Sequence, residues 1–90
     1  MDTELISLAA DRLLQDYNGE IEELDIDLGN KTRLKGENRI HKITYDDKGF
    51  HFYHREWMDK EKYGDNKAYI ELELTEEEIM YILEEFYAWY

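Results

Sequence analysis

The sequence has no cysteine and no proline, and only five glycines in 90 residues. Without cysteine there is no disulfide, no thiolate metal site and no cysteine nucleophile. That composition fits a reducing compartment and predicts a cytoplasmic protein. No apolar run approaches the ~20 residues needed to span a bilayer. The start, MDTELISLAADRLL, is acidic and lacks the basic opening of a signal peptide. Repeats, low-complexity linkers and domain boundaries are also missing, so residues 1–90 are expected to form one acidic domain.

Basic residues are scarce at both ends of the chain. The net charge is −12, with 23 acids against 11 Lys and Arg. Residues 1–30 carry a net −8, residues 31–67 a net +3 and residues 68–90 a net −7. Nucleic acids and anionic membranes are polyanions, so this balance argues against either as a direct ligand. It favours a basic protein as partner, or no partner at all. High net charge is also a mark of disorder. Against that, 42% of the residues are hydrophobic and 14% aromatic, and the apolar positions are strongly patterned.

The pattern predicts an α+β domain. Leu5, Ala9 and Leu13 recur at helical spacing, with Ile6, Ala10, Leu14 and Tyr17 beside them, giving a helix over 2–17. Asp2 or Thr3 caps its start and Asn18-Gly19 ends it. Residues 20–28, within EIEELDIDLG, alternate acid and aliphatic and read as one strand. A three-residue loop, Gly29-Asn30-Lys31, then sets Ile26 against Leu34, Leu28 against Thr32, Asp27 against Arg33 and Asp25 against Lys35. Lys35-Gly36-Glu37-Asn38 is the next turn. Residues 39–45 and 50–57 form a hairpin about Asp46-Asp47-Lys48-Gly49, with Tyr45 opposite Phe50, Ile43 opposite Phe52 and His41 opposite His54. Residues 58–67 are a charged loop, and residues 68–74 are the last strand. Thr75 and Glu78 then make a capping box, and Leu74 with Ile79 a hydrophobic staple, for a final helix that buries Ile79, Ile82, Leu83, Phe86 and Tyr90. The expected order is α-β-β-β-β-β-α, with a meandering antiparallel sheet of four to five strands.

No motif specifies a reaction. There is no nucleophile elbow, phosphate-binding glycine loop or HExxH. His41 and His54 fall close enough to share a metal, but no third ligand is placed beside them. Nothing marks one carboxylate as buried with a shifted pKa. The sequence therefore predicts neither enzyme, cofactor nor metal.

Charge and aromatics carry the functional expectation. Asp25 and Asp27 have basic partners in the expected hairpin. Glu20, Glu22 and Glu23 precede that hairpin, and Glu71, Glu73, Glu76, Glu77, Glu84 and Glu85 have no local Lys or Arg. Alternate residues on a strand lie ~6.6 Å apart, near the spacing of phosphates along a nucleic-acid strand. These acids, with Tyr81 and Trp57 as aromatic anchors, are the candidate partner-binding residues. In size and charge the chain is similar to small acidic inhibitors made by phages and mobile elements, many of which imitate nucleic acid. That analogy implies a DNA mimic covering a nuclease, such as a CRISPR effector or restriction enzyme. The same charge suits an immunity protein or antitoxin for a basic toxin. A third reading is a homodimer through the aromatic C-terminus FYAWY, checked by a mass measurement at micromolar concentration.

Overall fold

A computed structural model describes residues 2–29, 39–57 and 67–90. Helix α1 spans Thr3–Tyr17. The Asp2 carboxylate accepts the Leu5 N–H at 3.1 Å and closes its first turn. Asn18, in the left-handed conformation, ends it. Gly19 follows at φ +85°, and an added Cβ would sit 3.3 Å from the Tyr45 carbonyl. Its own carbonyl accepts the Tyr45 N–H at 2.9 Å, so this glycine lets the helix exit lie directly against the sheet. Ala9, Ala10 and Leu13 are buried, whereas Leu14 is exposed. The apolar face of α1 is thus narrower than expected.

Among the described residues six strands follow: β1 (Glu20–Ile21), β2 (Ile26–Asp27), β3 (Arg39–Ile40), β4 (Lys42–Asp46), β5 (Gly49–Trp57) and β6 (Lys67–Glu71). A four-stranded antiparallel sheet runs β1-β4-β5-β6, and β2 pairs with β3 in a separate two-stranded sheet. The architecture is α+β, as expected. Tyr45 pairs with Phe50 and Ile43 with Phe52, as the hairpin pattern predicts.

Two expected strands are each broken in two. The segment 20–28 is not one strand: β1 joins the large sheet and β2 the small one, with a bend at Glu23 between them. The cause lies in the spacing of the apolar residues. Ile21 is buried, and so are Leu24, Ile26 and Leu28. A step of three residues from Ile21 to Leu24 changes parity, and a continuous strand would send one of them to solvent. The segment 39–45 breaks at His41 for the same reason, because Ile40 and Ile43 are both fully buried. His41 still donates its N–H to the Tyr53 carbonyl at 2.9 Å. Its ring Nδ1 then accepts the Arg55 N–H at 3.1 Å, where a continuing strand would have supplied a carbonyl. That frees β3 to turn away and pair Ile26 with Ile40 and Asp27 with Arg39. The expected partners Thr32, Arg33, Leu34 and Lys35, the turn 35–38 and most of the loop 58–67 lie outside the described residues. The last strand is shorter than 68–74, its ladder ending at Glu71.

Helix α2 spans Glu76–Trp89 and starts with the full capping box. Thr75 Oγ1 accepts the Glu78 N–H at 3.2 Å, and Glu78 Oε1 accepts the Thr75 N–H at 2.9 Å. Ile82, Leu83 and Phe86 enter one core with Ala9 and Leu13 of α1 and with Ile21, Ile43, Phe52 and Leu72 beneath the helices. Tyr90 ties the C-terminus down twice. Its carbonyl accepts the Tyr17 hydroxyl at 2.6 Å, and its hydroxyl accepts the Asp25 N–H at 3.1 Å.

Candidate functional site

The face of the large sheet turned away from the core carries its own counter-charges. Lys42 sits near its centre, with Nζ 3.0 Å from Glu20 and 3.7 Å from Glu22. The same ammonium lies 4.9 Å from the Tyr69 ring centroid and 5.3 Å from that of Tyr53. Partial burial works to lower the Lys42 pKa, but the Glu20 hydrogen bond and the charges of Glu20 and Glu22 outweigh it and hold the pKa above its ordinary value. On the small sheet, Arg39 meets Asp25 at 2.7 Å and Asp27 at 3.4 Å. The basic partner of both aspartates here is Arg39, from a strand that the sequence reading did not set against them; the partners it named, Arg33 and Lys35, lie outside the described residues.

His51 bridges two carboxylates, with Nε2 3.0 Å from Asp46 and Nδ1 3.0 Å from Glu71. Only the imidazolium donates from both nitrogens. The Asp46 hydrogen bond is the largest influence on the His51 pKa and raises it; burial opposes it, and the charges of Asp46 and Glu71 add to the rise, so the pKa stands above its ordinary value. Its contribution to stability is thus fully present below about pH 6.5 and is lost as pH rises through the higher folded-state pKa. His41 works in the other direction. Burial, then the charge of Arg55, lowers its pKa, so its contribution holds above about pH 6.5 and fades as pH falls below it. Thermal melts of the wild type and H51Q from about pH 5.5 to 8.5 separate the two. The wild-type advantage in Tm should shrink steadily as pH rises; a constant gap would show that the bridge does not hold the proton.

Three of the acids expected to lack partners therefore have them. Glu20 and Glu22 pair with Lys42, and Glu71 pairs with His51. Sequence distance hid these contacts, since Glu71 and His51 are 20 residues apart in the chain. Glu23 is exposed at the bend between β1 and β2, and Glu73 is exposed beyond the end of β6. Trp57 ends β5 opposite Lys67, and its side chain lies outside the described residues.

The helices are different. Together with the cap Asp2, α1 and α2 carry nine acids and one basic residue, Arg12. That arginine is turned inward, donating to the Tyr87 carbonyl with its guanidinium 4.1 Å from the Tyr87 ring centroid. Glu4, Asp11, Asp16, Glu76, Glu77 and Glu84 are exposed, and Glu85 is half-buried. Among the described residues none of these seven makes an ion pair. Three glutamates in the first turn of α2 suit the positive end of its dipole, which favours Glu over Lys there.

A concave feature lies on this layer among the described residues. Glu77, Met80, Tyr81 and Glu84 follow helical i, i+3, i+4, i+7 spacing and line an open cleft of about 360 Å³. Sequence reasoning found Tyr81 and both glutamates but missed Met80, which the same spacing would have supplied. Tyr81 is half-buried and rests partly on the core. His41 and His54 are neighbours, with ring centroids 5.4 Å apart. Both are committed to backbone: His41 accepts the Arg55 N–H, and His54 Nδ1 lies 3.2 Å from the Arg39 carbonyl. Among the described residues no three His, Cys, Asp or Glu side chains are grouped to hold a metal. No described helix is long and apolar enough to cross a membrane.

Compared with known proteins, the chain matches no family model, no curated protein and no solved structure.

Proposed function

We propose that this chain is a non-enzymatic binding protein that covers a basic, nucleic-acid-binding surface of a partner protein, with its two helices as the contact layer. One observation carries the reading: the sheet acids Glu20, Glu22 and Glu71 are in ion pairs, while the exposed helical acids make none among the described residues. Self-repulsion among such acids costs stability, and a basic partner relieves it. A surface of this sign competes with nucleic acid for a groove lined by Lys and Arg, and it speeds encounter with that groove by long-range attraction. A nuclease or another DNA-handling protein is the partner of this chemistry.

The test is a pull-down from bacterial lysate at low salt, repeated at high salt, with mass spectrometry of the retained proteins. A DNA- or RNA-handling protein should be retained and should be released as the Debye length falls from about 10 Å at 0.1 M to about 3 Å at 1 M. Adding duplex DNA should also displace it. Retention that resists both salt and DNA would sink the reading.

A further inference from the structure

We infer that Trp89 and Glu85, one turn apart on α2, take up an arginine side chain of the partner, stacked on the indole. The inference rests on the basic-partner reading and names the group that the helical layer grips. Tryptophan is highly buried on average, yet Trp89 is 76% exposed. Among the described residues it meets no other ring and no cation. Glu85 is half-buried and makes no ion pair among them. Helical side chains four apart are neighbours and lean toward the N-terminus, so the indole lies over the turn that carries Glu85. An open aromatic face beside a carboxylate matches a planar cation. The guanidinium stacks on the indole, and its N–H groups donate to Glu85. Stacking takes one ring face and needs no enclosing pocket.

The chain uses this chemistry elsewhere but does not fill this ring. Arg12 lies 4.1 Å from the Tyr87 centroid, and Lys42 lies 4.9 Å from Tyr69 and 5.3 Å from Tyr53. Tyr87 and Trp89 are two residues apart, about 200° around the helix, so Trp89 points away from the flank that Arg12 occupies. Tryptophan is the strongest of the rings for a cation, and here it is the open one. A second copy of the chain is a poor occupant. The helical layer, with its cap Asp2, carries nine acids against one base, and two such layers repel. Arginine fits better than lysine, because its weakly hydrated plane stacks on the ring and still offers forked donors to a carboxylate.

The experiment uses hexa-arginine and hexalysine, two peptides of equal charge. Each is titrated into the full chain, and the two indole N–H signals are followed by NMR, with W89F assigning Trp89. Both peptides are drawn to the acidic layer, but hexa-arginine should move the Trp89 signal about threefold further at saturation. E85Q should weaken the hexa-arginine response about twofold at sub-saturating peptide. In the pull-down, W89F keeps a ring and should retain most of the partner. W89L keeps an apolar side chain without a ring and should weaken binding about tenfold. An equal shift with both peptides, an unchanged response in E85Q or wild-type partner binding by W89L overturns the inference; the last result would mean an apolar pocket. If a basic partner is retained but hexa-arginine never moves Trp89, the arginine site fails and the basic-partner reading stands. If hexa-arginine moves Trp89 further than hexalysine but no basic partner is retained, the site stands and the reading fails.

Discussion

Reversing Glu76, Glu77, Glu84 and Glu85 to lysine is expected to abolish retention of the basic partner. The four changes take the net charge from −12 to −4. Each replaces an attraction of about 0.5 kcal/mol at an exposed contact by a repulsion of similar size. Four together approach 4 kcal/mol, close to a thousandfold in Kd. Glu76 and Glu77 also occupy the first turn of α2, where lysine opposes the dipole at a cost of about 0.3–1 kcal/mol each. A second variant separates binding from folding. E84K/E85K places its lysines toward the C-terminal end of the helix, where the dipole favours cations, so the fold should hold while binding falls about thirtyfold. The control is E20Q, on the sheet face, which should leave binding within about twofold. Wild-type binding by E84K/E85K, together with loss in E20Q, would move the contact face to the sheet and end the helical reading.

That control follows from the difference between what the sequence displays and what the fold exposes. Sequence alone shows whether an acid has a base close by in the chain, and by that measure Glu20, Glu22 and Glu71 stand alone. Sheet formation supplies bases from a distance: β1 lies beside β4, so Lys42 meets Glu20 and Glu22, and β6 lies beside β5, so His51 meets Glu71. A strand acid has cross-strand neighbours on its own face. An acid on the outer arc of a surface helix has only its own helix and whatever flanks it. The exposed acids of α1 and α2 therefore keep the character their sequence suggests. Glu76, Glu77 and Glu84 were legible; the sheet acids were legible only with strand order in hand.

The fold was legible to the same depth. Both helices, the capping box and the Tyr45–Phe50 register follow from local pattern, because helical periodicity and a tight hairpin are decided within a few residues. The small β2–β3 sheet was not foreseen, yet its signal was present. Ile21 and Leu24 differ in parity, and so do Ile40 and Ile43, and each pair is buried. The regular alternation of acid and aliphatic from Glu23 to Leu28 masks the slip. Two parity changes at facing points in sequence are what a sheet needs to split, because both strands must leave their ladders together. The ring of His41 completes the split by accepting the Arg55 N–H.

The largest loss of stability is expected from F86A. Phe86 is 0% exposed and lies between Tyr17, at 6.1 Å between ring centroids, and Tyr90, stacked at 6.4 Å. Its truncation removes the packing that joins α2 to α1, and a cavity flanked by two large rings collapses poorly. Such a change costs about 3–5 kcal/mol. A 90-residue domain has about 5–13 kcal/mol in total, and each kcal/mol moves Tm by about 4–8 °C in a chain of this size. F86A should therefore melt about 15–30 °C below the wild type by circular dichroism. W89A is the companion, since Trp89 is 76% exposed on the same helix. Its cost should stay within about 0.5 kcal/mol. A small loss in F86A with a large one in W89A would mean that α2 buries its other face, and the exposed acids and the cleft of Met80 and Tyr81 would lose their place on the surface. The stability of Phe86 and the binding of Glu84 are thus two readings of one helix orientation, and the melts should be recorded before any binding variant is interpreted.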